Sequence, residues 1–350
     1  MRDRLLTAFL SLIALALAIV IGAYLWSLNA INAPGPLKQP ATLIIKPGSG
    51  LGAIARQLDE AGVVVNNYLF EWEARRTGQA GNLKPGEYKF EPAGSISAVL
   101  DKLVKRDVVA RFVTIPEGLV TADIIKILGA AEGLMGDTDA TVPDGALLPE
   151  TYRYEWGDTK TAVIERMRKA RETALADLWA KRAPDLPLDS PEQAMVLASI
   201  VEKETGVAAE RPKVAGVFIN RLKKKMKLQS DPTVIYGINP LGLDRELTRA
   251  DLAAATPYNT YVVDGLPPSP IAHPGLQSIA AVLNPEATDA LYFVADGTGG
   301  HAFADTLAEH NKNVARWRKL NAQAPAAAPE AKPAPAKAPA KTAPAKPKAK

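Results

Sequence analysis

The sequence predicts an α+β protein with an N-terminal transmembrane helix, a small α+β module, a larger mixed α/β domain and a disordered C-terminal tail. Three observations lead there. The run from Leu5 to Leu37 holds no charged residue. Strand–turn–helix patterns recur at 42–58 and 112–128, and an all-apolar helical stretch opens at Ser190. The last 29 residues are almost wholly Ala, Pro and Lys. The 350 residues are ample for about two domains with sizeable cores. These signals set the expected boundaries at 1–27 for the cytoplasmic N-terminus and anchor, 28–40 for a linker, 41–135 for the module, 136–321 for the larger domain and 322–350 for the tail.

From Leu5 to Trp26 the chain is almost wholly apolar. Twenty-two helical residues rise about 33 Å, enough to cross a bilayer core. Tyr24 and Trp26 fall at the far end, where aromatic side chains favour the membrane interface. Arg2 and Arg4 precede the run, so the positive-inside rule keeps the N-terminus cytoplasmic and places the rest outside. A cleaved signal peptide is the rival. The apolar core exceeds the usual 7–15 residues and no clean Ala-x-Ala site follows, which favours an uncleaved single-pass anchor. Asn32 to Pro40 then reads as a Pro/Gly-rich stalk.

The formal charge is +4 and the pI about 9.0, but the charge is local. The tail carries six lysines against Glu330, and the first four residues carry two arginines against one aspartate, so everything between is close to −2. Nucleic-acid binding is not expected of such a surface. With no cysteine there are no disulfides, thiol nucleophiles, cysteine zinc sites or iron–sulfur clusters. With only His273, His301 and His310, no metal or other cofactor is expected.

In the module, Thr42 to Gly50 leads into a helical pattern at 51–58, and Phe112 to Gly118 leads into one at 119–128. The pairs Ile54/Leu58 and Ile124/Leu128 sit at i, i+4 spacing. Leu83 to Phe90 reads as a turn into a strand and Ile96 to Val104 as a further helix. The first unit resembles a LysM-type module, which implies binding of N-acetylglucosamine-containing glycans; the alternative is a positioning unit without a ligand. The tail has almost nothing to bury and should be disordered, with polyproline character.

The chemistry concentrates after Ser190. Ser190 as N-cap, Pro191 at the first helical position and Gln193 three residues after the cap mark a helix start. Ala194 to Val201 is apolar all round, as in a buried central helix, and it then delivers Glu202-Lys-Glu204-Thr. Such carboxylates either exit to solvent or do chemistry. A carboxylate in the last helical turn faces the negative end of the macrodipole, and partial burial also disfavours its charge; both raise its pKa, as a general acid near neutral pH requires. Glu202 and Glu204 point about 200° apart, so one alone can face a given cleft, and position by itself does not decide which.

Downstream, Gln229 to Gly237, Tyr258-Asn-Thr-Tyr261, Gly265 to Ile271 and Tyr292 to His301 combine amide, hydroxyl and aromatic side chains with prolines. This composition suits a sugar-binding groove, with Gln229, Asp231, Thr233, Tyr236, Tyr258, Asn259, Thr260, Tyr261 and His301 as candidate contacts. Gly297 to Gly300 lacks the Lys-Ser/Thr of a phosphate loop, and His301 has no metal-spaced partner, so it is read as a hydrogen-bonding group.

Several motifs together resemble the endolytic murein transglycosylases (MltG, or YceG-like). They are Leu197-Ala-Ser-Ile-Val-Glu-Lys-Glu-Thr, Val217-Phe-Ile-Asn-Arg-Leu, Leu228-Gln-Ser-Asp-Pro-Thr-Val-Ile-Tyr-Gly, Tyr258-Asn-Thr-Tyr, Gly265-Leu-Pro-Pro, Tyr292-Phe-Val-Ala-Asp-Gly, Gly-Gly-His301 and His310-Asn. Leu148-Pro-Glu-Thr-Tyr152 looks like the family's Phe-Pro-Asp-Thr-Tyr motif with Glu150 in place of Asp, which leaves the role of Glu150 open. The resemblance implies a membrane-anchored enzyme that cuts nascent peptidoglycan strands between N-acetylmuramic acid and N-acetylglucosamine during wall elongation and leaves 1,6-anhydro ends. It makes 136–321 the catalytic domain. It implies peptidoglycan strands and wall-synthesis machinery, such as penicillin-binding proteins, as partners. One acid suffices for this chemistry. Glu204 takes that role because Glu204-Thr resembles the Glu-Ser pair of other lytic transglycosylases, with Glu202 in reserve. The alternatives are a muramidase-type hydrolase using a second acid such as Asp231, and a non-catalytic LysM-like wall-binding protein. Lyase chemistry on a small metabolite does not suit an exported domain.

Overall fold

The computed structural model describes residues 2–138 and 141–323, so the expected disordered tail lies outside the described residues beyond Gln323. The architecture is α+β. The described strands form three separate two-stranded antiparallel sheets, and those of the larger domain, Thr151–Tyr154, Tyr292–Ala295 and His301–Ala304, are divided between two of them.

Helix α1 spans Arg2–Asn32 and exposes its apolar side chains from Leu5 to Trp26 on all sides. It runs past the expected anchor end at residue 27, into the expected linker. The reason is packing: Ile31 is fully buried against the first unit, and Tyr24 meets Trp72 edge-on at 6.1 Å.

The first unit pairs β1 (Ala41–Ile45) antiparallel with β2 (Gly86–Phe90), with Ala41 opposite Phe90. Between them lie α2 (Leu51–Glu60) and α3 (Asn67–Arg76), and α4 (Ile96–Lys105) follows. The Asn66 side chain caps α3 by accepting from the amides of Tyr68 and Leu69. Ile54, Leu58, Phe70, Tyr88 and Leu103 fill the core, so the i, i+4 pair reads correctly as an inward face.

A second unit pairs β3 (Arg111–Thr114) with β4 (Thr151–Tyr154) around α5 (Thr121–Ala130), and α6 (Lys160–Ala180) closes it. Its core joins Val113, Ile124 and Leu128 to Leu147, Tyr154 and Met167. This cluster crosses residues 135 and 136, because the strand that completes the second sheet arrives only at 151. The Arg111–Glu87 ion pair, 2.6 Å, links the two units.

The third unit centres on α7 (Pro191–Glu204), with Ser190 capping it through a bond from the Gln193 amide. Every residue from Ala194 to Val201 is buried. Around it pack α6, α8 (Arg211–Lys223) and α11 (Leu276–Leu283). Each fully buried large aliphatic side chain here contributes about 1.5–3 kcal/mol of transfer free energy. Gly216 of α8 admits the 285–288 segment: a Cβ there would meet the Glu286 carbonyl oxygen at 2.6 Å. Helices α9 (Asp231–Ile238) and α10 (Arg249–Ala253), the hairpin β5 (Tyr292–Ala295)–β6 (His301–Ala304) and α12 (Leu307–Gln323) complete the molecule.

Candidate active site

The central helix ends in a cavity. Glu204, the last residue of α7, enters a space of about 370 Å³ bounded by Phe218 and Arg221 of α8 and by Leu228, Gln229 and Asp231 at the start of α9. Tyr261 closes one side, and Tyr292 and Phe293 of β5 with Leu307 and His310 of α12 close the other. Ser230 occupies the N-cap position of α9, where a hydroxyl ordinarily accepts from the helix amides; it makes no such bond. It donates instead to Glu204 Oε1 at 2.5 Å.

Ser230 is held by buried neighbours. Its amide donates to Thr260 Oγ1 at 2.9 Å, and its carbonyl accepts from the Thr233 hydroxyl at 2.6 Å. The two threonine hydroxyls stand 2.8 Å apart. Gln229, at φ +52°, turns the chain in the left-handed region so that its amide reaches the Thr260 carbonyl. Asn259 is buried and donates to the carbonyls of Asp251, Leu252 and Ala254, while its Oδ1 accepts from the Tyr261 amide at 3.0 Å. That fixes Tyr261, whose hydroxyl donates to Asp231 Oδ1 at 2.6 Å. Burial pushes the Tyr261 hydroxyl pKa well up, and the Asp231 carboxylate adds to this.

The Glu204 carboxyl is pushed up to about 7. Burial is the main cause and the charge of Asp231 adds to it; the Ser230 hydrogen bond, His301 and Arg221 pull the other way. Arg221 is buried as well, with Nε on the Leu291 carbonyl at 2.7 Å, Nη1 on the Leu228 carbonyl at 2.8 Å and its guanidinium 5.2 Å from the Tyr292 ring centre. His310 stacks on Tyr292 at 5.2 Å, and its Nδ1 is buried with no hydrogen-bond partner among the described residues.

Glu202 points elsewhere. Its Oε2 accepts from the Gly275 amide at 2.9 Å and its Oε1 from Arg211 at 3.3 Å; Arg211 also reaches Gln277 and Glu117. This cluster locks the end of α7 to the start of α11, on the face away from the cavity.

Of the nine side chains expected to contact sugar, Gln229, Asp231 and Tyr261 line the cavity with Glu204. Thr233, Asn259 and Thr260 are buried beneath it, occupied in holding Ser230 and Tyr261. Tyr236 and Tyr258 meet with tilted rings at 5.0 Å and donate or pair elsewhere, Tyr236 to Asp144 and Tyr258 with Ser269. His301 sits edge-on to Phe293 and pairs with Glu210 at 2.8 Å. These six do not line the cavity: their polar atoms serve the fold's own hydrogen bonds. The expectation missed Ser230, Arg221, Tyr292, Phe293 and His310. Each stands inside a quoted motif, and Ser230 lies between two residues that were chosen. Glu150 is exposed at the edge of β4.

The sequence profile described as the YceG-like family matches residues 43–316. The chain belongs to the YceG-like family. It is 30% identical over 331 residues to the endolytic murein transglycosylase of Bacillus subtilis (strain 168), an alignment covering 84% of this chain and 89% of that protein. It is 28% identical over 326 residues to the endolytic murein transglycosylase of Streptococcus pneumoniae serotype 2 (strain D39), covering 79% of this chain and 58% of that one. The chain thus spans a little over half the length of the pneumococcal relative. A crystal structure of a YceG-like protein from Listeria monocytogenes shares 30% identity, with 79% of this chain and 99% of that chain covered and a TM-score of 0.48. The YceG-like match ends at residue 316, within α12.

Proposed function

We propose that this YceG-like protein is an endolytic murein transglycosylase that cleaves peptidoglycan strands with Glu204 as its one acid and base. The observation that carries the reading is the Glu204 carboxyl at the end of a buried helix, inside a cavity, with its pKa raised to about 7. A carboxyl poised there is protonated in a large fraction of molecules near neutral pH. It donates its proton to the glycosidic oxygen as the bond from muramic C1 to that oxygen breaks. The resulting carboxylate then takes the proton of the muramic C6 hydroxyl, and O6 closes on C1 to form the 1,6-anhydro ring. No water is consumed and the acid is regenerated, so the second carboxylate of a hydrolase is not needed. Ser230 orients Glu204 and offsets its charge after proton transfer. Gln229, Asp231 and Tyr261 supply hydrogen bonds to sugar.

A hydrolytic reading has one observation in its favour, the presence of Asp231 in the same cavity. Mass spectrometry of muropeptides released from purified sacculi separates the two. The full-length protein should release anhydro ends and Glu204→Gln should release almost none; reducing ends from the wild type would assign hydrolysis instead.

The remaining parts of the proposal rest on sequence. Helix α1 anchors the protein in the cytoplasmic membrane with its N-terminus inside, supported by its apolar surface and by Arg2 and Arg4. The first unit is a LysM-like module, supported by its strand–turn–helix resemblance. The enzyme acts beside wall-synthesis machinery such as penicillin-binding proteins.

A further inference from the structure

A second cavity, of about 850 Å³, lies between the outer end of α1 and α3 of the first unit. Tyr24, Trp26 and Ser27 of α1 face Val65, Tyr68 and Trp72 across it, and none of its lining residues is charged. Val65 is 57% exposed and Tyr68 is 75% exposed, although both lie beside a well-packed core. Isolated apolar residues at a surface need no explanation, but an uncharged cleft flanked by exposed aromatic rings does.

Helix geometry gives the height of this cleft. The twenty residues from Leu5 to Tyr24 rise about 29 Å, close to the thickness of a bilayer's hydrocarbon core. Tyr24 therefore stands at the outer boundary, and Trp72, 6.1 Å from it ring to ring, stands at the same level. The unit is held at this height. α1 continues unbroken to Asn32, and Ile31 and Ser27 are buried where it meets the first unit. On α1 itself the exposed surface of Leu25 and Trp26 is continuous with the lipid-facing run below it.

We propose that the cleft between α1 and α3 is a lipid-docking surface. Acyl chains of outer-leaflet phospholipid enter it, and Val65, Tyr68 and Trp72 lie in the interfacial layer, where amphipathic rings are favoured. The proposal rests on the reading of α1 as a membrane anchor. It makes the first unit a membrane-seated base that sets the height of the catalytic domain, rather than a bead on a loose stalk.

The test uses the full-length protein, one copy per lipid nanodisc, in phosphatidylcholine or in phosphatidylcholine brominated on its acyl chains near the headgroup. Bromine quenches tryptophan fluorescence on contact. The five tryptophans allow subtraction, since Trp156, Trp179 and Trp317 lie outside the cleft. Trp26→Phe should lower the quenched fraction and leave a second quenched component, which Trp26→Phe/Trp72→Phe should abolish. Val65→Asp/Tyr68→Asp, at exposed positions, should also remove that component from Trp26→Phe and leaves the core intact. If Trp26 is quenched and Trp72 is not, the docking is overturned while the anchor stands. If neither is quenched, the anchor reading has failed and the docking with it. Shielding of Trp72 that appears only when two copies share a disc would give the cleft to a second copy and overturn the lipid assignment.

Discussion

At the residue scale, two glutamates two positions apart have opposite surroundings. Glu204 meets one neutral hydroxyl in a cavity, whereas Glu202 meets a guanidinium and a backbone amide. Glu204→Gln keeps size and hydrogen bonding but cannot relay a proton. It should lower anhydro-muropeptide release by about 10²–10⁴-fold or more, since one group serves both proton transfers. Glu202→Gln should leave activity per folded molecule within about tenfold and instead cost about 1–3 kcal/mol of stability, because Arg211 loses a buried partner. Assay and thermal unfolding of both variants together check this; a Glu202→Gln that folds normally and is inactive would reverse the assignment. pH gives a second check. The acid form of Glu204 falls away as pH rises through about 7, so kcat/KM should decline above that value. The linkage runs the same way. The folded pKa lies above the ordinary 4.5, so the favourable contribution is complete below 4.5 and is lost as pH rises to about 7. The loss is on the order of 3 kcal/mol, and Glu204→Gln should be free of that slope in pH-dependent unfolding.

At the element scale, the site depends on how the N-terminal end of α9 is seated. Ser230 is available to Glu204 because Thr233 and Thr260 hold its backbone and Asn259 holds the loop that carries Tyr261. Asn259→Ala would leave three carbonyls without their donor. It should destabilise the protein by about 2–4 kcal/mol and raise KM more than Glu204→Gln does, as measured by denaturant unfolding beside muropeptide release. Ser230→Ala removes the one hydrogen bond that favours the Glu204 carboxylate. The alkaline limb of the pH–rate profile should therefore move upward; an unmoved limb would mean that Ser230 does not act on Glu204.

At the scale of the whole molecule, three cores are tied by a few polar contacts. Arg111–Glu87 joins the first unit to the second. Asp144 accepts from the Thr121 amide and from the Tyr236 hydroxyl, joining the second unit to the third. The tail's Ala, Pro and Lys composition offers almost no apolar surface to bury. Deleting residues 324–350 should change unfolding by less than about 1 kcal/mol and leave glycan cleavage unchanged. A reporter fused at the C-terminus should be active only outside the cytoplasm, with the protein retained in the membrane fraction.

Sequence alone determined what is written in period, composition and motif. The uncharged run specified α1, the i, i+4 pairs specified the inward faces of α2 and α5, and Ser190-Pro191 specified the start of α7. These are local signals, readable because each element buries one face or all of it. The motif set also pointed to the YceG-like family. Tertiary structure alone decided which glutamate enters a cavity. The choice depends on which face of α7 meets α8, α9 and β5, and those contacts join residues far apart in the chain. For the same reason a polar side chain in a loop motif gave no sign of its direction. Thr233, Asn259 and Thr260 turn inward to satisfy buried backbone, while Gln229 and Tyr261, of the same motifs, turn toward the cavity, because each loop folds back on itself and buried polar groups must find partners before any are left for a ligand.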